Sequence, residues 1–123
     1  MDNIRWVVED ALKFARREAR RGNLYQGIIL DPPAYGHGPD GEKWKLDECL
    51  FEMLQSVNSI LSPKDRFLVL NLYSNGFSPL MGKTVLEQAF SLKAGVDISA
   101  GELALNDSFG KALPLSVVVR LRR

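Results

Sequence analysis

Strand-like and helix-like segments alternate along most of this chain, and the alternation restricts the folds that it can adopt. β-Branched and aromatic residues fill five short segments, whereas strong helix formers fill three longer ones. The predicted strands cover residues 4–9, 26–30, 66–74, 97–107 and 114–122, and the predicted helices cover 11–21, 45–61 and 78–95. Strands that alternate with helices form a parallel sheet with helices on its faces. We therefore predict an α/β fold whose last two strands, joined by a short loop, pair as an antiparallel hairpin.

Residues that commonly start or stop helices stand at the ends of the predicted helices. Gly22 follows the first helix, and Ser62-Pro63 ends the second because a residue before proline is pushed out of helical geometry. Ser78 suits the N-cap of the third helix, Pro79 its first turn and Gly95 its end.

Length and composition predict one small domain in a reducing compartment. The 123 residues are 46% hydrophobic and 25% charged, and the net charge of +1 gives no strong general attraction to nucleic acid or membranes. No apolar run approaches the roughly 20 residues that span a bilayer. The single Cys49 cannot form an internal disulfide, and the N-terminus lacks the layout of a signal peptide. We predict a cytoplasmic protein without a membrane partner.

The apolar run at 26–30 ends in Asp31-Pro32-Pro33, and Tyr35 follows within a Gly/Pro-rich segment, 34–44, that predicts a loop. Prolines fix their φ angles, so the chain after Asp31 is stiff. A carboxylate and stiffly held carbonyls can accept hydrogen bonds from an amino group, and Tyr35 offers a face for stacking a planar base. The alternative is a rigid turn with a surface tyrosine.

Three predicted strands end in acidic or polar residues. Asp10 follows the first, Asp31-Pro32-Pro33 the second, and the third ends at 71–74. Open α/β sheets bind ligands outside the carboxyl ends of their strands. We expect these three strand ends to converge on one crevice.

The segment "GIILDPPAYG", with "IRWVVEDALKFARREARRGN" before it and "EKWKLDECL" and "LVLNLYSNGFSP" after it, resembles class I S-adenosylmethionine-dependent methyltransferases. The group related to bacterial ribosomal RNA cytosine methyltransferases is the most similar. The resemblance covers nearly the whole chain. It implies a Rossmann-like sheet, S-adenosylmethionine as the cofactor and methyl transfer to an RNA base without a metal.

The resemblance also implies roles for individual residues. Asp10, with Ala11 beside it, would contact the adenine of the cofactor. Asp31 would lie at the methionine end of the cofactor and orient the acceptor or take its proton. Pro32 and Pro33 would set the carbonyl geometry.

On the substrate side, the resemblance implies that Tyr35 would stack on the base. Trp44 and Lys45 place an aromatic ring beside a cation, which suits RNA, although Trp44 equally suits packing against the start of the helix. Ser74 lies in the segment "LNLYS", where the related enzymes carry a nucleophilic cysteine.

Two departures from the family limit these expectations. Without that cysteine, carbon methylation through a covalent adduct is not expected, and Cys49 is predicted to serve packing. Nothing matches the glycine-rich turn or the ribose-binding acid of the family. Residues 1–123 are therefore expected to be the C-terminal portion of a methyltransferase domain, a truncated sheet without the N-terminal cofactor-binding strands. Activity of this chain alone is not expected.

Smaller signals favour structural interpretations. "GHGPDG", 36–41, matches the spacing of a dinucleotide fingerprint but contains a proline and does not directly precede a helix. We interpret it as a loop. One histidine is not a metal site, so His37 is interpreted as a solvated residue, and the alternative is a proton acceptor near the substrate. The basic residues of helix 11–21 are interpreted as a solvated face rather than a phosphate site.

The rival prediction is a non-catalytic fragment that acts as an interaction module or oligomer. In the family, strands would lie between 4–9 and 26–30, and unpaired edges of apolar strands invite pairing. These two segments are expected either to pair with each other or to leave an edge that pairs with a second copy. We predict a homo-oligomer, with the first strand or the first helix at its interface.

Overall fold

The computed structural model describes residues 2–73, 76–92 and 96–123, so the predicted sites at Ser74 and Gly95 lie outside the described residues. Its helices are α1 (Ala11–Arg21), α2 (Leu46–Asn58) and α3 (Pro79–Phe90). Its strands are β1 (Gly27–Leu30), β2 (Tyr35–His37), β3 (Lys43–Lys45), β4 (Phe67–Leu72), β5 (Asp97–Asn106) and β6 (Ala112–Arg122).

Four of these strands form one mixed sheet in the order β1-β4-β6-β5. β1 and β4 are parallel, whereas β6 is antiparallel to both β4 and β5. The predicted α/β fold, with parallel strands, flanking helices and a C-terminal antiparallel pair, is confirmed. None of the helices in the described ranges is long and apolar enough to cross a membrane.

Capping residues define the predicted helices well. α1 covers the residues predicted for it; the Asp10 side chain accepts a hydrogen bond from the Lys13 backbone N–H (2.9 Å), and Gly22 closes the helix at φ 72°. Ser78 caps α3 in the same way, with Pro79 in its first turn. The second and third helices are shorter than predicted: α2 ends at Asn58 rather than at residue 61, and α3 ends at Phe90 rather than at residue 95.

One face of the sheet carries the hydrophobic core. Alternate residues of β4 and β6 point to this face and pack against α2 and α3. The buried side chains from these two strands are Leu68, Leu70, Leu72, Val117, Val119 and Leu121. α1 packs beside α2 on the same side, since Leu12 contacts this cluster.

The other face of the sheet has apolar side chains and no helix among the described residues that packs on it. We call it the open face. Its side chains alternate along each strand with those that face the core, and they belong to Ile29, Phe67, Val69, Leu103 and Val118. Ile29 is 72% exposed and Phe67 is 47% exposed. A sheet buries apolar side chains on a face that another layer covers, so this face is unusual for an isolated domain.

The predicted strand at 4–9 is wrong. This segment lies within the described residues, but it forms no strand and pairs with none in the described ranges. Trp6 is 83% exposed and Val8 is 97% exposed. β-Branched residues favour a strand only where a neighbouring strand is present to pair with. The direct pairing of 4–9 with 26–30 is likewise wrong, because β1 pairs only with β4 among the described strands.

Two further expectations from the sequence need correction. β1 was expected to be buried, but it is an edge strand whose residues are half-buried or exposed. The expected loop at 34–44 instead contains β2 and β3, which form an antiparallel ribbon. A tight turn closes this ribbon, with Gly41 at φ 82°.

A polar cluster fixes the end of α1 to the start of β1. The buried Glu18 carboxylate accepts hydrogen bonds from the Tyr25 hydroxyl (2.7 Å) and the Asn23 side-chain amide (2.8 Å). Arg21 also donates to it, at 3.3 Å. These donors hold the pKa of Glu18 below its ordinary value, the Tyr25 hydroxyl contributing most. The bond to Glu18 in turn raises the pKa of Tyr25.

Replacing Glu18 with glutamine should lower the melting temperature at neutral pH by roughly 3 to 8 °C, because the donors lose a charged acceptor. A lowered pKa means that this stabilisation is present above the unfolded-state pKa and is lost as the pH falls through the folded-state pKa. The difference in melting temperature between the wild-type protein and Glu18→Gln should therefore become smaller below about pH 4. Thermal unfolding followed by circular dichroism tests this, with the exposed Glu102→Gln as control. A gap that does not change with pH would contradict it.

Candidate functional site

A cleft of about 390 Å³ lies between the start of α1 and the carboxyl end of β1. One wall is formed by residues 9–12 and the other by residues 29–33. The β2–β3 ribbon contributes Gly36, His37, Gly38, Pro39 and Trp44. The cleft thus brings Asp10 and Ala11 together with Asp31, Pro32 and Pro33, although 19 residues lie between the two groups in the sequence.

The Asp31 carboxylate is held by Asn71, which belongs to the strand end at 71–74 that was expected at the crevice but was given no role of its own. The Asn71 side-chain amide donates a hydrogen bond to Asp31 Oδ1 at 2.7 Å. Asn71 lies near the carboxyl end of β4, the parallel neighbour of β1, so the two strand ends meet as expected. The signal for Asn71 was its polarity within an apolar strand. The Asn71 amide oxygen is buried and has no partner among the described residues.

The Asp-Pro-Pro turn is supported from below by Trp44. The indole N–H of Trp44 donates a hydrogen bond to the Pro33 carbonyl at 2.7 Å, and the half-buried ring packs against the core. The Leu46 N–H, at the start of α2, donates to the Ala34 carbonyl (3.0 Å). These bonds attach the turn to the ribbon and to α2, so its position is defined from two sides.

Tyr35 does not line the cleft; it lies on the outer side of the ribbon and is 75% exposed. Its cross-strand partner is Lys45, so a flat ring and a cation lie side by side. Lys45 also forms an ion pair with Glu48 at 3.3 Å, and this hydrogen bond raises the pKa of Lys45. Trp44 precedes Lys45 in β3 and pairs with Gly36. Because side chains alternate along a strand, the Trp44 ring lies on the opposite side of the ribbon from Tyr35 and Lys45.

The turn of the ribbon is tied to α1 across the cleft. Lys13 forms ion pairs with Glu42 and with Asp40, the latter at 3.2 Å. Hydrogen bonds to Glu42 and then to Asp40 raise the pKa of Lys13. The ribbon therefore covers one side of the cleft and is attached by these ion pairs to α1, the helix that Asp10 caps.

The other basic residues of α1 are largely engaged within the chain. Arg17 forms an ion pair with Glu9 (2.6 Å), Arg16 pairs with Glu52, and Arg21 lies 3.3 Å from Glu18. This pairing favours the interpretation as a solvated, ion-paired helix face over a phosphate site.

The remaining candidate residues are His37 and Cys49. His37 lies in β2 and lines the cleft; the segment around it, which matches the spacing of a dinucleotide fingerprint, is a hairpin rather than a strand-to-helix turn. Cys49 is half-buried on α2 and does not line the cleft. No group of three metal-ligating side chains occurs among residues 2–73, 76–92 and 96–123.

Comparison with solved structures shows what this architecture is similar to. The S-adenosylmethionine-dependent methyltransferase from Agrobacterium tumefaciens matches 97% of this chain at 38% identity and a TM-score of 0.90, and the chain spans 40% of that protein. A putative S-adenosylmethionine-dependent methyltransferase from Streptococcus mutans matches 93% of the chain at 16% identity and a TM-score of 0.68, over 29% of its own length.

The complex of M1.HpyAVI with S-adenosylmethionine matches 94% of the chain at 14% identity, with a TM-score of 0.53 and 53% of its own length covered. The last two similarities concern the fold alone. No protein-family model matches the chain, and no curated protein sequence matches it.

The chain thus folds like part of an S-adenosylmethionine-dependent methyltransferase and spans about two fifths of the Agrobacterium protein. The Agrobacterium protein is S-adenosylmethionine-dependent, and the M1.HpyAVI structure is a complex with S-adenosylmethionine.

Proposed function

We propose that this chain forms the acceptor side of an S-adenosylmethionine-dependent methyltransferase domain that modifies an RNA base. The observation that carries the proposal is the cleft in which Asp10 and Ala11 face the Asp31-Pro32-Pro33 turn. The 38% identity to the Agrobacterium methyltransferase supports it, because that identity extends over nearly the whole of this chain. Membership of the group related to ribosomal RNA cytosine methyltransferases is part of the proposal.

The residues of the cleft fit one side of this cofactor. The volume of the cleft falls in the range of about 300 to 1,000 Å³ that is usual for small-molecule sites. S-adenosylmethionine carries amino and hydroxyl groups that donate hydrogen bonds, and carboxylates accept them. Asp10 uses Oδ1 to cap α1, which leaves Oδ2 for the adenine side. Asp31 bonds Asn71 through Oδ1, which leaves Oδ2 for the methionine side or the acceptor.

When bound, the cofactor supplies an electrophilic methyl group on a sulfonium. Asp10 and Ala11 would hold its adenine end and the Asp31-Pro32-Pro33 turn its methionine end; the methyl group would pass to the acceptor, and the sulfur would keep the electron pair of the carbon–sulfur bond. Asp31 would orient an amino acceptor through a hydrogen bond to its N–H and take the proton that it loses. Pro32 and Pro33 would hold the turn rigid, so that proximity and orientation supply most of the rate enhancement.

The outer side of the ribbon suits an RNA substrate. The exposed ring of Tyr35 can stack on an unpaired base, and Lys45 beside it can contact a phosphate. Trp44 would act from beneath, by holding Pro33 in place. The role of Ser74 on the substrate side remains a proposal from the family resemblance.

We expect this chain alone to bind S-adenosylmethionine with a dissociation constant above roughly 100 μM, because each absent hydrogen bond from a glycine-rich turn and a ribose-binding acid costs about 1 to 3 kcal/mol. A chimera tests the function directly: this chain replaces the matched segment of the Agrobacterium enzyme. Calorimetric titration of the chimera should give a low-micromolar dissociation constant. A chimera that is folded yet fails to bind the cofactor would exclude the proposed function, and low-micromolar binding by the chain alone would show that its cofactor site is already complete.

Asn71 is expected to position Asp31. In the chimera, Asn71→Leu removes the donor at similar volume, and kcat for RNA methylation should fall about 10-fold to 100-fold with little change in KM or in cofactor affinity. Asn71→Ser keeps a donor and should recover part of kcat. Equal loss in both variants, or a loss confined to KM, would argue against the positioning role.

The alternative function is a non-catalytic interaction module, possible because the open face of the sheet is available for a partner. Self-association is part of this alternative and of the predicted homo-oligomer. The predicted interface at the first strand cannot form by strand pairing as expected, because residues 4–9 are not a strand. The remaining candidates for an interface between two copies are α1 and the edges of the sheet. Light scattering at micromolar concentration distinguishes a monomer from a dimer.

A further inference from the structure

The strand β5 forms one edge of the sheet, and among the described strands only β6 pairs with it. Its ten residues contain two acids, Asp97 and Glu102, but no lysine or proline, and all of them except Ile98 are exposed. Proteins usually protect a free edge with lysine, proline or a short strand, because the unpaired backbone groups attract another chain. β5 has none of these protections, whereas β1, at the opposite edge, has only four residues.

The turn that follows β5 holds an exposed aromatic ring in a fixed position. The Asp107 carboxylate accepts hydrogen bonds from the backbone N–H groups of Phe109 (2.9 Å) and Lys111 (2.8 Å), and Gly110 adopts the left-handed conformation at φ 80°. Phe109 is 88% exposed at the tip of this ordered turn. A large aromatic side chain that a defined turn holds in solvent suits the anchor of an interface.

A cleft that can receive such a ring lies at the other end of β5. It has a volume of about 500 Å³ and lies between α3 and the start of the strand. Its lining includes the apolar Leu92, Val96 and Ile98. Lys83 and Glu87 also line it and pair with each other at 3.9 Å, and the ammonium group of Lys83 can approach the face of an aromatic ring. β5 therefore has an aromatic projection beyond one end and a matching cleft at the other.

We propose that two copies of this chain pair along β5 about a two-fold axis, so that their sheets join into one continuous antiparallel sheet. The axis passes through Gly101, and Phe109 of each copy enters the cleft at the start of β5 in the other copy. This contact does not involve methyl transfer and is independent of the proposed function.

The charges of β5 favour this register. Residues directly opposite each other in an antiparallel pair face the same side of the sheet, so a two-fold axis perpendicular to the sheet passes through a pair of identical residues. With the axis at Gly101, residues 97–105 of the two copies overlap, and Glu102 lies opposite Ala100 of the second copy. An axis at Glu102 would instead place two like charges opposite each other, which is destabilising. A Cβ at Gly101 would meet nothing within 4 Å, so the centre of the edge is unobstructed.

The same register brings the turn of one copy to the cleft of the other. Asn106 of one copy lies opposite Val96 of the second copy, which lines the cleft, and Phe109 extends three residues further in the same direction. A two-fold interface must be complementary to itself, and an anchor and a cleft at opposite ends of one strand meet this condition. The strand, the turn and the cleft supply roughly 20 residues per copy, at the lower end of the range for a stable complex.

The first test measures the equilibrium between monomer and dimer by sedimentation. The wild-type chain should dimerise with a micromolar dissociation constant, and Phe109→Ser should raise that constant about 10-fold to 100-fold. Leu113→Ser is the matched control and should change it little, because Leu113 is an exposed apolar residue of the same hairpin but lies on β6, one strand away from the free edge. A wild-type chain that stays monomeric at about 100 μM, or a dimer that is indifferent to Phe109→Ser, would overturn the proposal.

A disulfide trap tests the register independently of the affinity. Residues directly opposite each other in an antiparallel pair have Cβ atoms about 4.5 to 5.5 Å apart, near the spacing in a disulfide. Gly101→Cys in a Cys49→Ala background should therefore form a cross-linked dimer with oxidised glutathione. Ser108→Cys in the same background is the control, because the two exposed Ser108 residues would lie at opposite ends of the joined sheet. Cross-linking that is no faster at Gly101→Cys than at Ser108→Cys would refute the proposed pairing, even for a chain that dimerises.

Discussion

Asp31→Ala in the chimera is expected to lower the rate of methyl transfer by roughly 10²-fold to 10⁴-fold, the usual contribution of a positioned acid–base group. The reason is its place in the cleft: the carboxylate stands at the carboxyl end of β1, faces Asp10 and Ala11 across the cleft, and is oriented by Asn71. The dissociation constant of S-adenosylmethionine should change only a few-fold, because Asp10 and the rest of the cofactor site remain. Turnover and calorimetric binding on the same preparation measure both.

Two companion variants give this experiment its controls. Asp31→Asn keeps an acceptor for the Asn71 amide but removes the charge, so it separates positioning from proton transfer. Asp47→Ala removes an exposed acid in the first turn of α2, outside the cleft, and should leave turnover unchanged. If Asp31→Ala turned over at a near-normal rate, Asp31 would serve only to end β1.

Leu70→Ala is expected to lower the stability of the domain strongly. Leu70 is fully buried in β4, between Leu30 of β1 and Val119 of β6. Truncation of such a side chain removes its transfer free energy and leaves a cavity, which together cost about 2 to 5 kcal/mol. Urea denaturation of the isolated chain should show this loss as a lower midpoint with an unchanged slope.

Leu80→Ala is the matched control for this measurement, because the same side chain is truncated at a position that is 73% exposed. Its free energy of unfolding should change by less than about 0.5 kcal/mol. Similar losses at the two positions would mean that the packing around Leu70 does not support the domain.

Local sequence signals were reliable where a few neighbouring residues decide the structure. α1 begins after Asp10 and ends before Gly22 because the cap residues satisfy backbone groups within one turn of themselves. The same holds for the start of α3 at Ser78 and Pro79. By contrast, the end of α2 had only the distant Ser62-Pro63 as a signal, and the helix stops earlier, at Asn58.

The site was partly predictable for a similar reason. Of the three segment ends expected in one crevice, Asp10 and the Asp31-Pro32-Pro33 turn line the cleft, whereas Asn71 contacts Asp31 without lining it. The bond from Asn71 to Asp31 was not predictable, because it joins side chains 40 residues apart and depends on the register of β1 against β4. The hydrogen bond from the Trp44 indole to the Pro33 carbonyl was likewise not predictable, because it depends on the β2–β3 ribbon. The Gly/Pro-rich composition of this segment predicted a loop instead.

The sequence by itself determined the helices, the order of the sheet-forming segments and the rigid acidic turn, because propensity, caps and prolines act over a few residues. Only the tertiary structure decided whether an apolar segment became a strand. Residues 4–9 and β1 both have strand-like composition, yet β1 found a partner in β4, and 4–9 has none among the described residues. A strand exists only through hydrogen bonds to a neighbour, so its formation depends on which other segments are there to pair with it.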